Sequence, residues 1–255
     1  MNRFDLSGKV AIITGGNGGL GLGIAKALAS EGAAVAIVGR KQEKLDKAKL
    51  ELEQAGAKVV AIQADVSLED DVNRMVQETV DAFGRVDILV NNAAISWGSN
   101  PESTSLETWN NFIAINLTSC FLCSKACYPE FVKSGGGKII NIGSIITQFG
   151  FGKLFHYAAA KGGMDHMTQS LCRAWGKDNI QVNAILPGLV DTEMMPCTGP
   201  NKLGHIVDYV IEKSAIKRHG IPEDFAGLAI LLASPASDFI TGAIIVADGG
   251  LSLAI

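Results

Sequence analysis

No stretch of this chain approaches the roughly 18 uncharged apolar residues needed to span a bilayer, which excludes a helical membrane protein. The opening Met1-Asn2-Arg3-Phe4-Asp5-Leu6-Ser7 lacks the apolar centre of a secretory signal, so a cytoplasmic protein is expected. Charge of one sign is missing too. Lys and Arg number 22 against 26 Asp and Glu, a formal net charge of -4 with no block of like charges. Attraction to nucleic acid or an anionic membrane is thereby removed as a main theme. Cysteine is sparse, at five. Cys120, Cys123 and Cys127 fall on one helical face, yet no His or further Cys pair stands at ligand spacing, so they read as small buried hydrophobes and no metal is expected. No Pro/Ser-rich linker, composition shift, internal repeat or low-complexity tract divides the chain.

What is present is apolar mass. Hydrophobic residues make up 47% of 255, and a chain of this size buries roughly three quarters of its unfolded surface, which supports one large core in a single domain. Apolar runs and helical periodicity alternate. Strands are predicted at Val10 to Thr14, Val35 to Val38, Lys58 to Gln63, Val86 to Val90, Lys138 to Asn141, Gln181 to Leu186 and Ala243 to Val246. Between them the spacing predicts helices at Leu20 to Ser30, Gln42 to Gln54, Leu68 to Phe83, Leu106 to Ile115, Leu117 to Val132, Tyr157 to Trp175 and Pro222 to Ala233. Near-continuous apolar strands alternating with helices mean a parallel sheet covered on both faces: an α/β, doubly wound Rossmann fold of about seven strands. Its ligand crevice lies at the carboxyl ends of the strands. The irregular stretch 188–220 follows such an end and has the position of a lid, with a short amphipathic piece around Ile206 to Glu212.

Thr14-Gly15-Gly16-Asn17-Gly18-Gly19-Leu20-Gly21 sits between the first strand and first helix, where glycines let the backbone approach a pyrophosphate resting on the helix N-terminus. With this loop go Asp65, Asn91-Asn92-Ala93-Ala94, Asn116, Ser144, Tyr157-Ala158-Ala159-Ala160-Lys161 and Pro187-Gly188 with Thr192. Together these motifs, in this order over the whole chain, resemble the classical short-chain dehydrogenase/reductase family. One departure stands out: Ala94 occupies the last place of the family's Asn-Asn-Ala-Gly, which is costly only if that position needs a positive φ.

Tyr157 and Lys161 are four apart, hence one above the other on a helix face, where an ammonium is expected to lower the phenol's pKa toward the working range. Ser144 follows a strand and is expected in the crevice, its hydroxyl on the substrate oxygen. Asn116 falls at the junction of two helical stretches, where a polar residue accompanies a local irregularity. The resemblance implies an NAD(P)(H)-dependent interconversion of a secondary alcohol and a ketone, with Asn116, Ser144, Tyr157 and Lys161 catalytic. Tyr157 is then the acid/base, Lys161 also bonds the nicotinamide ribose, and Asn116 positions a relay water. It further implies cofactor contacts from Gly15, Asn17, Gly19, Leu20, Gly21, Asp65, Val66, Asn92, Ala93, Pro187, Gly188 and Thr192, with Asp65 at the adenine amino group. Thr192 also reads as a simple helix N-cap.

After the second strand stands Val38-Gly39-Arg40-Lys41, with no carboxylate to repel a 2'-phosphate and with the planar fork of Arg40 to hold one. NADP(H) is favoured over NAD(H), although Arg40 stacking on adenine or capping solvent-facing backbone is the alternative. Substrate contacts are expected from Ser144, Tyr157, Gln148, Trp97 and Met194, in a crevice also lined by Ile95, Ser96, Ile145, Ile146, His156 and Leu189. His156 reads more readily as packing. The absence of Arg from this set favours a neutral ketone over a sugar acid. A 3-oxoacyl thioester reductase, a sugar-acid dehydrogenase, a sugar-nucleotide epimerase and a non-catalytic nicotinamide-sensing regulator are the competing readings. A homotetramer is implied by the resemblance, consistent with apolar faces on the helices from Leu117 and Tyr157 and an apolar tail, Leu251 to Ile255.

Overall fold

The computed structural model describes residues 2–200 and 202–254. Asn201, inside the expected lid, and Met1 and Ile255, at the two ends, lie outside the described residues. Seven strands form one sheet: β1 (Val10–Thr14), β2 (Ala34–Gly39), β3 (Val59–Gln63), β4 (Ile88–Asn91), β5 (Gly137–Ile142), β6 (Ile180–Pro187) and β7 (Ile244–Ala247). Their order is β3-β2-β1-β4-β5-β6-β7, and every pairing is parallel. The order reverses between β1 and β4, which opens a crevice above their carboxyl ends.

Parallel pairing requires crossovers, and these are α1 (Gly19–Ser30), α2 (Gln42–Gln54), α3 (Glu69–Phe83), α4 (Leu106–Ile113), α5 (Ser119–Lys133), α6 (Phe155–Trp175), α7 (Gly204–Lys213) and α8 (Ala226–Ala233). The strands read as unbroken apolar runs because helices cover both faces. Ala11 and Ile13 of β1 pack with Ile24 and Leu28 of α1, Leu45 of α2 and Leu232 of α8. Ile12, pointing the other way, packs with Met75 of α3 and with Cys123, Cys127 and Phe131 of α5. Those cysteines are fully enclosed hydrophobes, and burial pushes both thiols well above their usual range.

The structure revises two boundaries. The helices expected to meet near Asn116 form one rod without a break, α4 passing into α5 through a wider π-type turn at Ala114–Thr118. The helix expected from Pro222 begins as a tight 3-10 turn, Pro222–Phe225, before α8.

Candidate active site

The glycine loop is clamped to the end of β4. Thr14 Oγ1 accepts from the backbone N–H groups of Asn92 and Ala93 at 2.9 and 3.0 Å, and Asn92 Nδ2 donates to the carbonyls of Thr14 and Gly15. Gly15 and Gly19 both adopt positive φ, 64° and 50°, which favours glycine there. Helix α1 starts from Gly18 with no side-chain cap and no acidic residue in its first turn, so its first amides and positive dipole end face the crevice unneutralised. That is an anion cradle suited to a pyrophosphate.

A cavity of about 970 Å³ opens beside it. Gly15, Asn17, Gly19, Leu20, Asn92 and Ala93 line one side, and Ser144, Tyr157, Lys161, Pro187, Gly188 and Thr192 line the other. A second cavity, about 290 Å³, shares Gly15, Asn17 and Ala93 with the first and is bordered by Arg40, Asp65 and Val66. The predicted cofactor residues therefore converge, with one exception. Gly21 is buried behind the loop and lines neither cavity: a Cβ there would lie 2.3 Å from the Gly15 oxygen and 2.5 Å from Asn92 Nδ2, so its role is close packing. Ala94 lines both cavities without a positive φ, so its extra methyl is accommodated.

Ser144 stands just past β5 and Tyr157 in the first turn of α6. Lys161 is fully enclosed one turn further on, its ammonium donating to the Ile142 carbonyl at 2.7 Å and lying 5.7 Å from the Tyr157 ring centroid. The expectation that Lys161 brings the phenol down is corrected here. Burial dominates and pushes Tyr157 up to about 12, and the Ser144 hydroxyl is what opposes it. Burial likewise pulls Lys161 down, opposed first by the neighbouring Cys120 and then by Asp165 one turn beyond it. Asn116 lies in the π-type turn, where its Oδ1 accepts from Ile95 N at 3.1 Å and its Nδ2 donates to the Phe112 carbonyl at 3.0 Å. Its side chain is spent on the fold and lines neither cavity.

Two expected substrate contacts are not brought to the cleft. Trp97 packs edge-on against Phe112, ring centroids 4.4 Å apart, and Gln148 is exposed, bonded to Thr147 and outside the cavity lining. Met194, Ile145, Ile146, Leu189 and Ser96 do line the large cavity, while Ile95 borders the smaller one. His156 is packing: fully buried, stacked on Phe112 at 3.6 Å and bonded through Nε2 to Ser99. Thr192 caps no helix; its Oγ1 accepts from Met195 N in a turn, and its side chain abuts Gly19.

Sequence reasoning missed Lys41, Lys44 and Glu193, which border the smaller cavity with Arg40. The signal was available for the lysines, since helix α2 begins directly after Arg40 and its first turn returns Lys44 to the same side. Glu193 was not legible, because its ion pair with Lys44 joins the segment after β6 to α2. Asp65 is held by Ser67, whose N–H and hydroxyl both donate to Oδ1, and its other oxygen lies 3.9 Å from Arg40.

The family model for enoyl-(acyl carrier protein) reductase matches residues 15–252. The chain belongs to the classical short-chain dehydrogenase/reductase family. Among the short-chain dehydrogenases it resembles, the 2-dehydro-3-deoxy-D-gluconate 5-dehydrogenase of Formosa agariphila is 38% identical over 254 residues, 98% of this chain and 95% of that protein. The 3-oxoacyl-(acyl-carrier-protein) reductase FabG of Chlamydia pneumoniae is 35% identical over 247 residues, 97% of this chain and 98% of that protein. The crystal structure of a gluconate 5-dehydrogenase from Burkholderia cenocepacia, in complex with NADP and tartrate, superposes with a TM-score of 0.93 at 32% identity, covering 100% of this chain and 99% of that one. As a short-chain dehydrogenase/reductase, the protein is an oxidoreductase that interconverts an alcohol and a ketone with a nicotinamide cofactor.

Proposed function

We propose that this oxidoreductase uses Tyr157 as its general acid/base and prefers NADP(H). The observation that carries the reading is the convergence of Ser144, Tyr157 and Lys161 on the cavity that the glycine loop opens. When bound, the nicotinamide supplies or accepts a hydride at the carbonyl carbon. Tyr157 exchanges the proton of the substrate oxygen, and the Ser144 hydroxyl holds that oxygen as charge develops on it. Lys161 sits one turn behind the phenol, anchored on the Ile142 carbonyl, and would hold a nicotinamide ribose through its remaining N–H groups. Asn116 acts as a positioning residue: with its side chain committed to Ile95 and Phe112, its π-type turn fixes the backbone behind Lys161, in keeping with a relay water there.

Preference for NADP(H) is supported by Arg40 and Lys41 around the smaller cavity, where a 2'-phosphate would sit. Asp65 and Glu193 border it too, the latter already neutralised by Lys44. The segment 188–220 serves as the lid. Its ends are pinned to one another by paired backbone bonds, Asp191 N to Gly220 O at 2.9 Å and Gly220 N to Leu189 O at 2.8 Å. A cytoplasmic homotetramer is the proposed form, in keeping with five unpaired thiols and with the exposed Phe121 and Val132 on α5 and Val246 on the edge strand. Light scattering gives the assembly directly.

The test of function is a panel of ketones and alcohols assayed with NADPH, NADH and their oxidised forms, following the nicotinamide absorbance. Reduction of at least one ketone by NADPH, abolished in Tyr157→Phe, is expected. Cofactor binding with no turnover of any carbonyl or alcohol would overturn the reading in favour of a nicotinamide sensor.

A further inference from the structure

Resting on the oxidoreductase reading, we infer that the substrate is an uncharged carbonyl compound with an apolar body, an alicyclic or aryl ketone, and not a sugar acid such as those named in the relatives.

Away from the glycine loop, the large cavity is walled by Ile146, Phe149 and Leu189, with Met194, Ile206 and Tyr209 brought over it by the segment after β6 and by α7. Met194, Ile206 and Tyr209 are each 41–53% exposed. Apolar side chains left open to water around one cleft mark a surface that a hydrophobic ligand covers. Val207, between them on α7, is buried, so that helix packs by one stripe and turns a second apolar stripe to the cavity.

A sugar acid needs the opposite environment. Its carboxylate requires a cation once water is excluded, and each hydroxyl requires a partner. Among the described lining residues Lys161 is the one Lys or Arg side chain, and its ammonium is buried and bonded to Ile142. The cations of the neighbouring segment are spent elsewhere. Lys202 pairs with Asp208 at 3.2 Å, Lys213 lies 3.9 Å from Glu212 and 5.8 Å from the Tyr209 ring centroid without itself lining the cavity, Arg218 makes a two-pronged bond to Asp224, and Lys217 donates to the Glu212 carbonyl. His205 remains at the mouth, on the exposed first turn of α7, as the one imidazole lining the cavity. Ser96, Ser144, Tyr157, Thr192 and Tyr209 supply the other polar side chains of this half; two of these are committed to the reacting oxygen, and the Thr192 hydroxyl already accepts from Met195 N. A polyol carboxylate entering this space leaves several polar groups unpaired; a ketone with a hydrocarbon body leaves none.

The experiment uses the full-length protein saturated with NADPH. Reduction of an aryl ketone and an alicyclic ketone is compared with reduction of 5-ketogluconate, and binding of the same compounds to the NADPH complex of Tyr157→Phe is measured calorimetrically. The expected result is kcat/KM for the apolar ketones at least ~100-fold above that for 5-ketogluconate, since two unpaired polar groups cost about that factor. Ile206→Arg, which places a cation over the cavity, should lower the apolar value by at least ~10-fold while leaving NADPH affinity unchanged. Higher kcat/KM or tighter binding for 5-ketogluconate overturns the inference. Apolar ketones that bind the Tyr157→Phe complex but are never reduced by the unmodified protein would uphold the substrate class and overturn the oxidoreductase reading instead.

Discussion

Asn92 and Gly21 meet behind the glycine loop: Nδ2 of Asn92 bonds the carbonyls of Thr14 and Gly15, and a Cβ on Gly21 would lie 2.5 Å from that same nitrogen. The tie between β1 and β4, which shapes the dinucleotide side of the cleft, thus depends on a missing side chain.

Gly21→Ala should lower the melting temperature and weaken NADPH binding by at least ~10-fold. The added carbon also lies 2.3 Å from the Gly15 oxygen, which is backbone and cannot swing away, so overpacking of about 1–3 kcal/mol is expected. Gly18→Ala is the control for stability, since a Cβ there meets nothing within 4 Å and its φ of 176° suits any residue. Calorimetry of both variants, with a fluorescence titration of the first, checks the pair; equal melting temperatures would remove the packing role.

Tyr157→Phe should leave nucleotide affinity nearly intact while kcat falls by at least ~100-fold, because the proton donor goes and the binding contacts stay. Lys161→Ala should damage both. In the proposed role its ammonium stands behind the phenol and bonds the ribose, and its loss also leaves the buried Ile142 carbonyl unpaired. Turnover in Tyr157→Phe equal to that of the unmodified protein would dismiss the assignment.

Burial holds the Tyr157 phenol protonated, at about 12 before any cofactor is bound. Ketone reduction draws on the protonated form, present below the folded pKa; alcohol oxidation draws on the phenolate, which grows as pH rises toward it. Oxidation should therefore climb from about pH 6 to about pH 9 while reduction stays level or falls, and Ser144→Ala, which removes the hydroxyl that opposes burial, should shift the climbing limb to higher pH. Profiles of kcat/KM in both directions at saturating cofactor decide it, and oxidation that declines with rising pH would be incompatible with a tyrosine base.

Arg40→Ala should reduce the preference for NADPH over NADH by at least ~10-fold, as a charge-assisted fork is worth about 1.5–3 kcal/mol. Adding Gly39→Asp should carry the ratio further by repelling the 2'-phosphate. The same change displaces Asn17, whose Oδ1 lies 2.8 Å from the position a Cβ on Gly39 would take, so a moderate loss of affinity for both cofactors is expected with the double variant. The readout is kcat/KM for each cofactor at one fixed substrate. An unchanged ratio would reduce Arg40 to an adenine-stacking or surface residue.

Much of this was written locally. A strand needs only an apolar run and a helix only its period, and both survive in one dimension, so all seven strands and the ends of α2 were legible to within a residue or two. The glycine loop and the Tyr157/Lys161 pair were legible for the same reason: each is a short spacing with one geometry. Tertiary structure alone decided the rest, because it depends on which distant segments meet. Trp97 turned away from the cleft because Phe112 offered its ring a face, and Glu193 reached the smaller cavity because the chain after β6 folds across α2 to meet Lys44. The protonation of Tyr157 followed suit: a neighbouring ammonium is visible in sequence, whereas the burial that outweighs it is a property of everything packed around the ring.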